Sequence, residues 1–259
     1  MKKITASLAL GLLGQHVYAA GFIEDSKVTI GLRNFYINQD TRNQDAKTQE
    51  EWGQGFQFNY ISGYTEGTVG FGVDALGLLG VKLDSGKGRH YNPDSSKYGG
   101  TVFPTDENGR AVDDFSSLGL TGKVRLSKTE ARIGTLQPKL PVVTFNDGRL
   151  LPQTFEGGQV TSAEIDNLTL IGGQLEHAQG RNSSNNEGLS IAGSNNAETG
   201  QFSNKFYYGG ADYKISKDLL AQYYYGKPSD RQLHPVASLI PLSRFVAAAA
   251  RRTALLGPR

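Results

Sequence analysis

The sequence predicts an all-β chain, a transmembrane antiparallel up-and-down β-barrel, on three observations. Apolar and polar residues alternate with period two through much of residues 27–226. The connections between these runs are by turns short and long. The first twenty residues have the layout of a secretory signal.

Residues 1–20, read as an export signal, take no part in the fold. Lys2 and Lys3 start it, Ile4 to Gly14 is an apolar run, and Val17-Tyr18-Ala19 or Tyr18-Ala19-Ala20 supplies small-residue cleavage chemistry. The run is too short to cross a bilayer as a helix. A buried N-terminal helix is the alternative. No later stretch reaches the ~18 apolar residues of a membrane helix. The mean hydropathy of −0.40 suits a barrel, in which water-facing and lipid-facing residues offset each other. With no Cys and only four His, neither a disulfide framework nor a structural zinc site is expected. No cofactor, metal or nucleic-acid partner is expected.

Nine strands follow from the alternation. In Lys27 to Ile37, Val28, Ile30 and Leu32 share one face, with Lys27, Thr29, Gly31 and Arg33 on the other. Trp52, Phe56, Phe58 and Tyr60 oppose Gln57 and Asn59. Val69, Phe71, Val73 and Ala75 oppose Thr68, Gly70, Gly72 and Asp74. Leu118, Leu120, Val124 and Leu126 oppose Thr121, Lys123 and Arg125, and in 130–136 Ala131 and Ile133 oppose Arg132. Weaker runs lie at 160–165, 168–177, 203–214 and 219–226. Tyr207, Tyr208, Tyr223, Tyr224 and Tyr225 read as interfacial girdle residues, with a sugar-stacking platform as the alternative.

Short turns are expected at 62–64, 127–129, 166–167 and 215–218, and long loops at 39–51, 78–114, 137–159 and 178–202. Tight turns at one end and long loops at the other are the pattern of a membrane barrel. A soluble β-sandwich is the competing arrangement, since strand alternation alone does not say whether the apolar face meets lipid or a second sheet.

Several strings then resemble the OprD family of outer-membrane substrate-specific porins. They are Gly21-Phe22-Ile23-Glu24-Asp25-Ser26, Leu32-Arg33-Asn34-Phe35-Tyr36 and Gly67 through Gly77. Ser127-Lys128-Thr129, Leu136-Gln137-Pro138 and Asn146 through Thr154 continue the likeness, which covers about 21–226. The resemblance implies an eighteen-stranded barrel in the outer membrane, in contact with its lipid and often packed as a homotrimer. It implies passive uptake of small carboxylates, aromatic acids or basic amino acids among them. A third outer loop, here 137–159, would fold inward and narrow the channel, and a ladder of basic residues would guide the carboxylate.

The candidate ladder is Arg33, Lys123, Arg125 and Arg132, all on polar strand faces. Fixed cations in a confined pore concentrate anions, and Arg offers a fork matched to a carboxylate. These charges could equally neutralise Asp74 and Glu130. Asp147 and Arg149 are the candidates of the constriction loop; Gly148 between them reads as a turn at positive φ. A local contact between Asp147 and Arg149 is the plainer alternative. Nothing sets a nucleophile beside a base, so no enzyme is expected.

The chain divides into 1–20 as signal, 21–226 as the N-terminal half of a barrel, and 227–259 as a tail without strand alternation. The tail carries six basic residues and one acidic, while 21–226 carries 19 basic against 24 acidic. An out-of-frame origin would explain the basic tail; a helical extension over 236–256, broken by Pro241, is the alternative. Nine strands are half of eighteen, and single-chain bacterial barrels close with an even number. A truncated, non-functional fragment that cannot close is therefore the second functional expectation.

Overall fold

A computed structural model of the chain describes residues 20–39, 48–85, 89–90, 101–189, 203–229 and 236–241. The signal segment before Ala20 and most of the 227–259 tail lie outside them. A five-residue helix, α1 (Ala20–Glu24), leads into strands. These are β1 (Lys27–Gln39), β2 (Gln49–Ile61), β3 (Val69–Asp84), β4 (Asp114–Leu126) and β5 (Thr129–Leu136). A small hairpin, β6 (Lys139–Leu140) and β7 (Val143–Thr144), interrupts the series. It resumes with β8 (Thr154–Ser162), β9 (Leu168–Gln179), the two-residue β10 (Asn186–Glu187), β11 (Phe206–Ser216), β12 (Leu219–Pro228) and β13 (Val236–Pro241).

The main strands form one antiparallel meander in the order β1-β2-β3-β4-β5-β8-β9-β11-β12-β13, with β10 beside β9. All nine expected strands are present. The one expected at 160–165 instead occupies Thr154–Ser162. The inward loop therefore ends at 153, not 159. Gly157 and Gly158 carry no side chain to alternate, and a bulge between Glu156 and Gly157 breaks the period. The tail also departs from expectation: Val236–Pro241 forms a strand paired with β12 from Leu219 to Tyr224, in place of a tail without strands or a helical extension over 236–256.

Register fixes which side chains share a face. Ile30 lies opposite Phe58, Leu32 opposite Phe56, and Tyr36 opposite Trp52. Phe56 faces Leu79, Phe71 faces Val124, and Ala131 faces Val160. This face is apolar and bare: Ile30 is 69% exposed, Leu118 71% and Ile133 72%. A bare apolar band so wide is what a lipid-facing surface requires and a water-facing one avoids.

The opposite face is covered by the long loops. Val102, Phe103, Ala111, Leu150 and Leu151 pack onto Leu78 and Phe115, joined by Phe35 and Ile37. Phe145, Val142 and Val143 pack onto Leu136, Phe155, Leu175 and Tyr208. Glycine makes the close approach possible. A Cβ at Gly53 would lie 2.6 Å from the Phe103 ring, and one at Gly55 would lie 2.8 Å from the Leu150 carbonyl oxygen. The tyrosines divide between the faces, correcting the girdle reading for two of them. Tyr207, Tyr223 and Tyr225 are exposed with the apolar band, while Tyr208 and Tyr224 are buried on the loop-covered side.

Candidate functional site

The six candidate residues all come from the loop-covered face or the loops themselves, in two separate groups. Arg33 pairs in register with Gly55, Gly55 with Gly80. Lys123 pairs with Gly72 and with Arg132. Gly80 and Gly72 are eight residues apart on β3, so the groups lie about 27 Å apart along the strands.

Arg33 reaches from β1 into the 137–153 loop. Its Nη1 and Nη2 donate to the two Asp147 carboxylate oxygens at 2.7 and 3.1 Å, and Nη1 also donates to the Arg149 carbonyl at 2.5 Å. Asp147 thus pairs with Arg33 and not with Arg149. Gly148 is not among the residues of positive φ. The turn closes instead through the Asn146 side chain, whose Oδ1 accepts from the Gly148 amide at 3.0 Å. Arg149 is 5% exposed, and burial lowers its pKa while the charge of Glu51 opposes that. Burial, then the repulsion of Arg149, pushes Arg181 down to about 10.

The second group gathers where the 62–68 turn folds across the sheet. Lys123 is 3% exposed; its Nζ sits 2.6 Å from Asp74 Oδ1 and donates to the Ser62 carbonyl at 2.7 Å. Arg132 pairs with Glu130, and Glu130 also accepts from the Tyr64 hydroxyl. Burial first, and the adjacent Glu130 second, raise the Tyr64 pKa well above the ordinary phenol value. Arg125 lies 4.0 Å above the Tyr64 ring, with Lys123 at 4.9 Å. Among the described residues Arg125 is exposed and makes no ion pair within 4 Å. Lys123 and Arg132 are thus neutralised by neighbours, and Arg125 keeps an exposed charge held by an aromatic face.

Three participants escaped sequence reasoning. Tyr64 sits in a turn, where periodicity carries no information. Glu51 and His90 lie in or beside segments expected to be loop, yet both are buried and in contact at 2.7 Å. Only the apolar flank of Glu51, namely Trp52 and the aromatics after it, hinted that this stretch was strand. Among the described residues no group of three His, Asp or Glu side chains converges as a metal site.

A family model described as "outer membrane porin, OprD family" matches residues 20–232. The porin-like protein GalP of Pseudomonas putida is 41% identical over 216 residues, which is 83% of this chain and 48% of that protein. The crystal structure of Pseudomonas aeruginosa OccK8 (OprE) matches with 61% identity and a TM-score of 0.71, over 82% of this chain and 48% of its own. That of Pseudomonas aeruginosa OpdK with vanillate matches with 36% identity and a TM-score of 0.71, over 85% and 53%. This chain spans about half the length of the relatives it matches. Those relatives are channels and not enzymes. The bare apolar face, the antiparallel meander and the loops turned onto its other face are the corresponding parts here, and the chain belongs to the OprD family of outer-membrane porins.

Proposed function

We propose that the loop-covered face lines a channel for passive uptake of small carboxylate-bearing solutes, aromatic acids or basic amino acids, across the outer membrane. The observation that carries this reading is a cation-bearing polar face set behind an exposed apolar one, with the 137–153 loop drawn onto it by Arg33. Arg125 forms the attractive side of the path, and the Arg33–Asp147 pair, with Arg149 buried beside it, shapes the constriction. Lys123 and Arg132 set the local field and hold the wall. The relative solved with vanillate, an aromatic carboxylate, supports the substrate class. Residues 1–20 act as the export signal, and the barrel works in contact with outer-membrane lipid and as a homotrimer.

A second reading rests on the sheet itself. It does not close: β1 and β13 are its edges and pair on one side only among the described residues. Unpaired backbone groups in lipid cost several kcal/mol each. On this reading the described strands, β13 included, are part of a barrel that needs further strands to close. Planar-bilayer recording on the refolded chain separates the two. Anion-selective steps that shrink with added benzoate support the channel. Silence, with no heat-modifiable band in outer-membrane fractions, supports the half-barrel.

A further inference from the structure

The loop end of β2 carries a fully buried carboxylate. Glu51 is 0% exposed. Its Oε1 lies 2.7 Å from His90 Nδ1, while Oε2 accepts from Gln49 Nε2 at 2.5 Å and from the Val102 amide at 2.8 Å. A carboxylate is acceptor-only, so Nδ1 of His90 carries the proton. Nε2 of His90 is in turn 2.8 Å from Thr105 Oγ1. His90, Val102 and Thr105 all belong to the connection between β3 and β4, whose described parts fold onto the sheet beside Phe103.

Val102, whose amide donates to this carboxylate, is itself buried in the apolar cluster with Phe103, Leu150 and Leu151. Buried charge survives only where donors replace water. Here two of the three donors come from the β3–β4 loop and the third from Gln49 of β2. An apolar residue at this position could fill the space, but it would not hold that loop in one register.

We propose that Glu51 is the anchor of the β3–β4 loop: it seats that loop on β2 through His90 and Val102. Glu51 touches no solute, so it is a positioning residue. Its bearing on selectivity rests on the channel reading above; the anchoring does not. The carboxylate has two acceptor oxygens for three donors. Gln at this position has one oxygen, and its amide would meet a donor.

The test uses the full chain, isotope-labelled and refolded in detergent micelles, with sheet amides of β4 and β9 as the reference. Glu51→Gln is expected to speed exchange of the Val102 amide about tenfold or more. It is also expected to move the Val102 amide proton upfield and to shift the His90 ring Nδ1 resonance. Glu51→Asp restores part of both. His90→Gln, which removes one of the carboxylate's two partners in that loop, loosens Val102 to a smaller extent. Unmoved Val102 exchange in Glu51→Gln would overturn the proposal. So would loss of β4 and β9 protection in equal proportion, since that describes a general fold residue. Should Glu51→Gln not refold, Glu51→Asp and His90→Gln carry the Val102 readouts. None of them needs conduction, so a silent channel with an intact anchor counts against the channel reading alone.

Discussion

Arg33 and Asp147 are 114 residues apart in the chain and meet as a two-pronged pair, at 2.7 and 3.1 Å. The contact ties the first strand to the tip of the inward loop. Both side chains are more than a third exposed, so solvent screens the charge and the pair contributes on the order of 1 kcal/mol or less to global stability. Its weight is local. Arg33→Ala is expected to leave the urea midpoint nearly unchanged while raising amide exchange at Gly148 severalfold. Arg33→Lys keeps the charge but loses the fork, and should recover little of the protection. Unchanged exchange at Gly148 in Arg33→Ala counts against the tie.

Lys123 and Asp74 present the opposite case. Their side chains are 2% and 16% exposed, so removing one partner strands a charge. Asp74→Ala is expected to cost roughly 3–5 kcal/mol, read by urea unfolding in micelles. The double variant Lys123→Met with Asp74→Leu removes both charges and should regain most of that loss. A double variant no more stable than Asp74→Ala alone means that the Lys123 bond to the Ser62 carbonyl, and not the ion pair, carries the site.

These two pairs mark what the sequence shows and what it hides. Period two located nine strands because a strand between lipid and a polar interior must alternate, whatever its partners. It lost the start of β8, where Gly157 and Gly158 leave nothing to alternate. It lost β13, which is flanked by Pro235 and ends at Pro241 in an Arg-rich stretch. The neutralisation of Lys123 by Asp74 could be weighed in advance because both lie on polar faces of strands that were expected to exist. The Arg33 to Asp147 contact could not, because it depends on how a loop closes. Glu51 is harder still: nothing local distinguishes it from Glu50, and only register places the one inside and the other at the rim.

The Tyr64 hydroxyl donates to Glu130 while its ring lies 4.0 Å beneath Arg125. Burial and the nearby carboxylate raise its pKa. A phenol with a raised folded pKa stabilises fully below the unfolded value near 10 and loses that contribution only as pH climbs through the folded one. Ultraviolet titration of the refolded chain should therefore show the same number of tyrosines ionising between about pH 9 and 11 in the native chain and in Tyr64→Phe, although the native chain has one tyrosine more. Tyr64→Phe keeps the ring and should leave Arg125 in place, whereas Tyr64→Leu should release it. An Arg125 side-chain resonance identical in all three removes the cation–π contact from the account.

Glu164, in the turn between β8 and β9, accepts from Ser127 Oγ at 2.9 Å, from the Lys128 amide at 2.8 Å and from Thr129 Oγ1 at 3.0 Å. It thereby caps the neighbouring turn, in which Ser127 adopts φ 53. The hydrogen bond from Ser127, then those from Lys128 and Thr129, lower the Glu164 pKa. A depressed carboxyl stabilises above its unfolded value and gives that up as pH falls through the folded one. The short-turn end should therefore loosen first in acid: exchange at the Lys128 amide, corrected for its intrinsic pH dependence, is expected to rise below about pH 4, before the β4 and β5 strand amides respond. Glu164→Gln should show the faster Lys128 exchange already at neutral pH and lose the acid step. An acid step that persists in Glu164→Gln assigns it to another carboxylate, with Asp166, 3.7 Å from Lys128 Nζ, the next to replace.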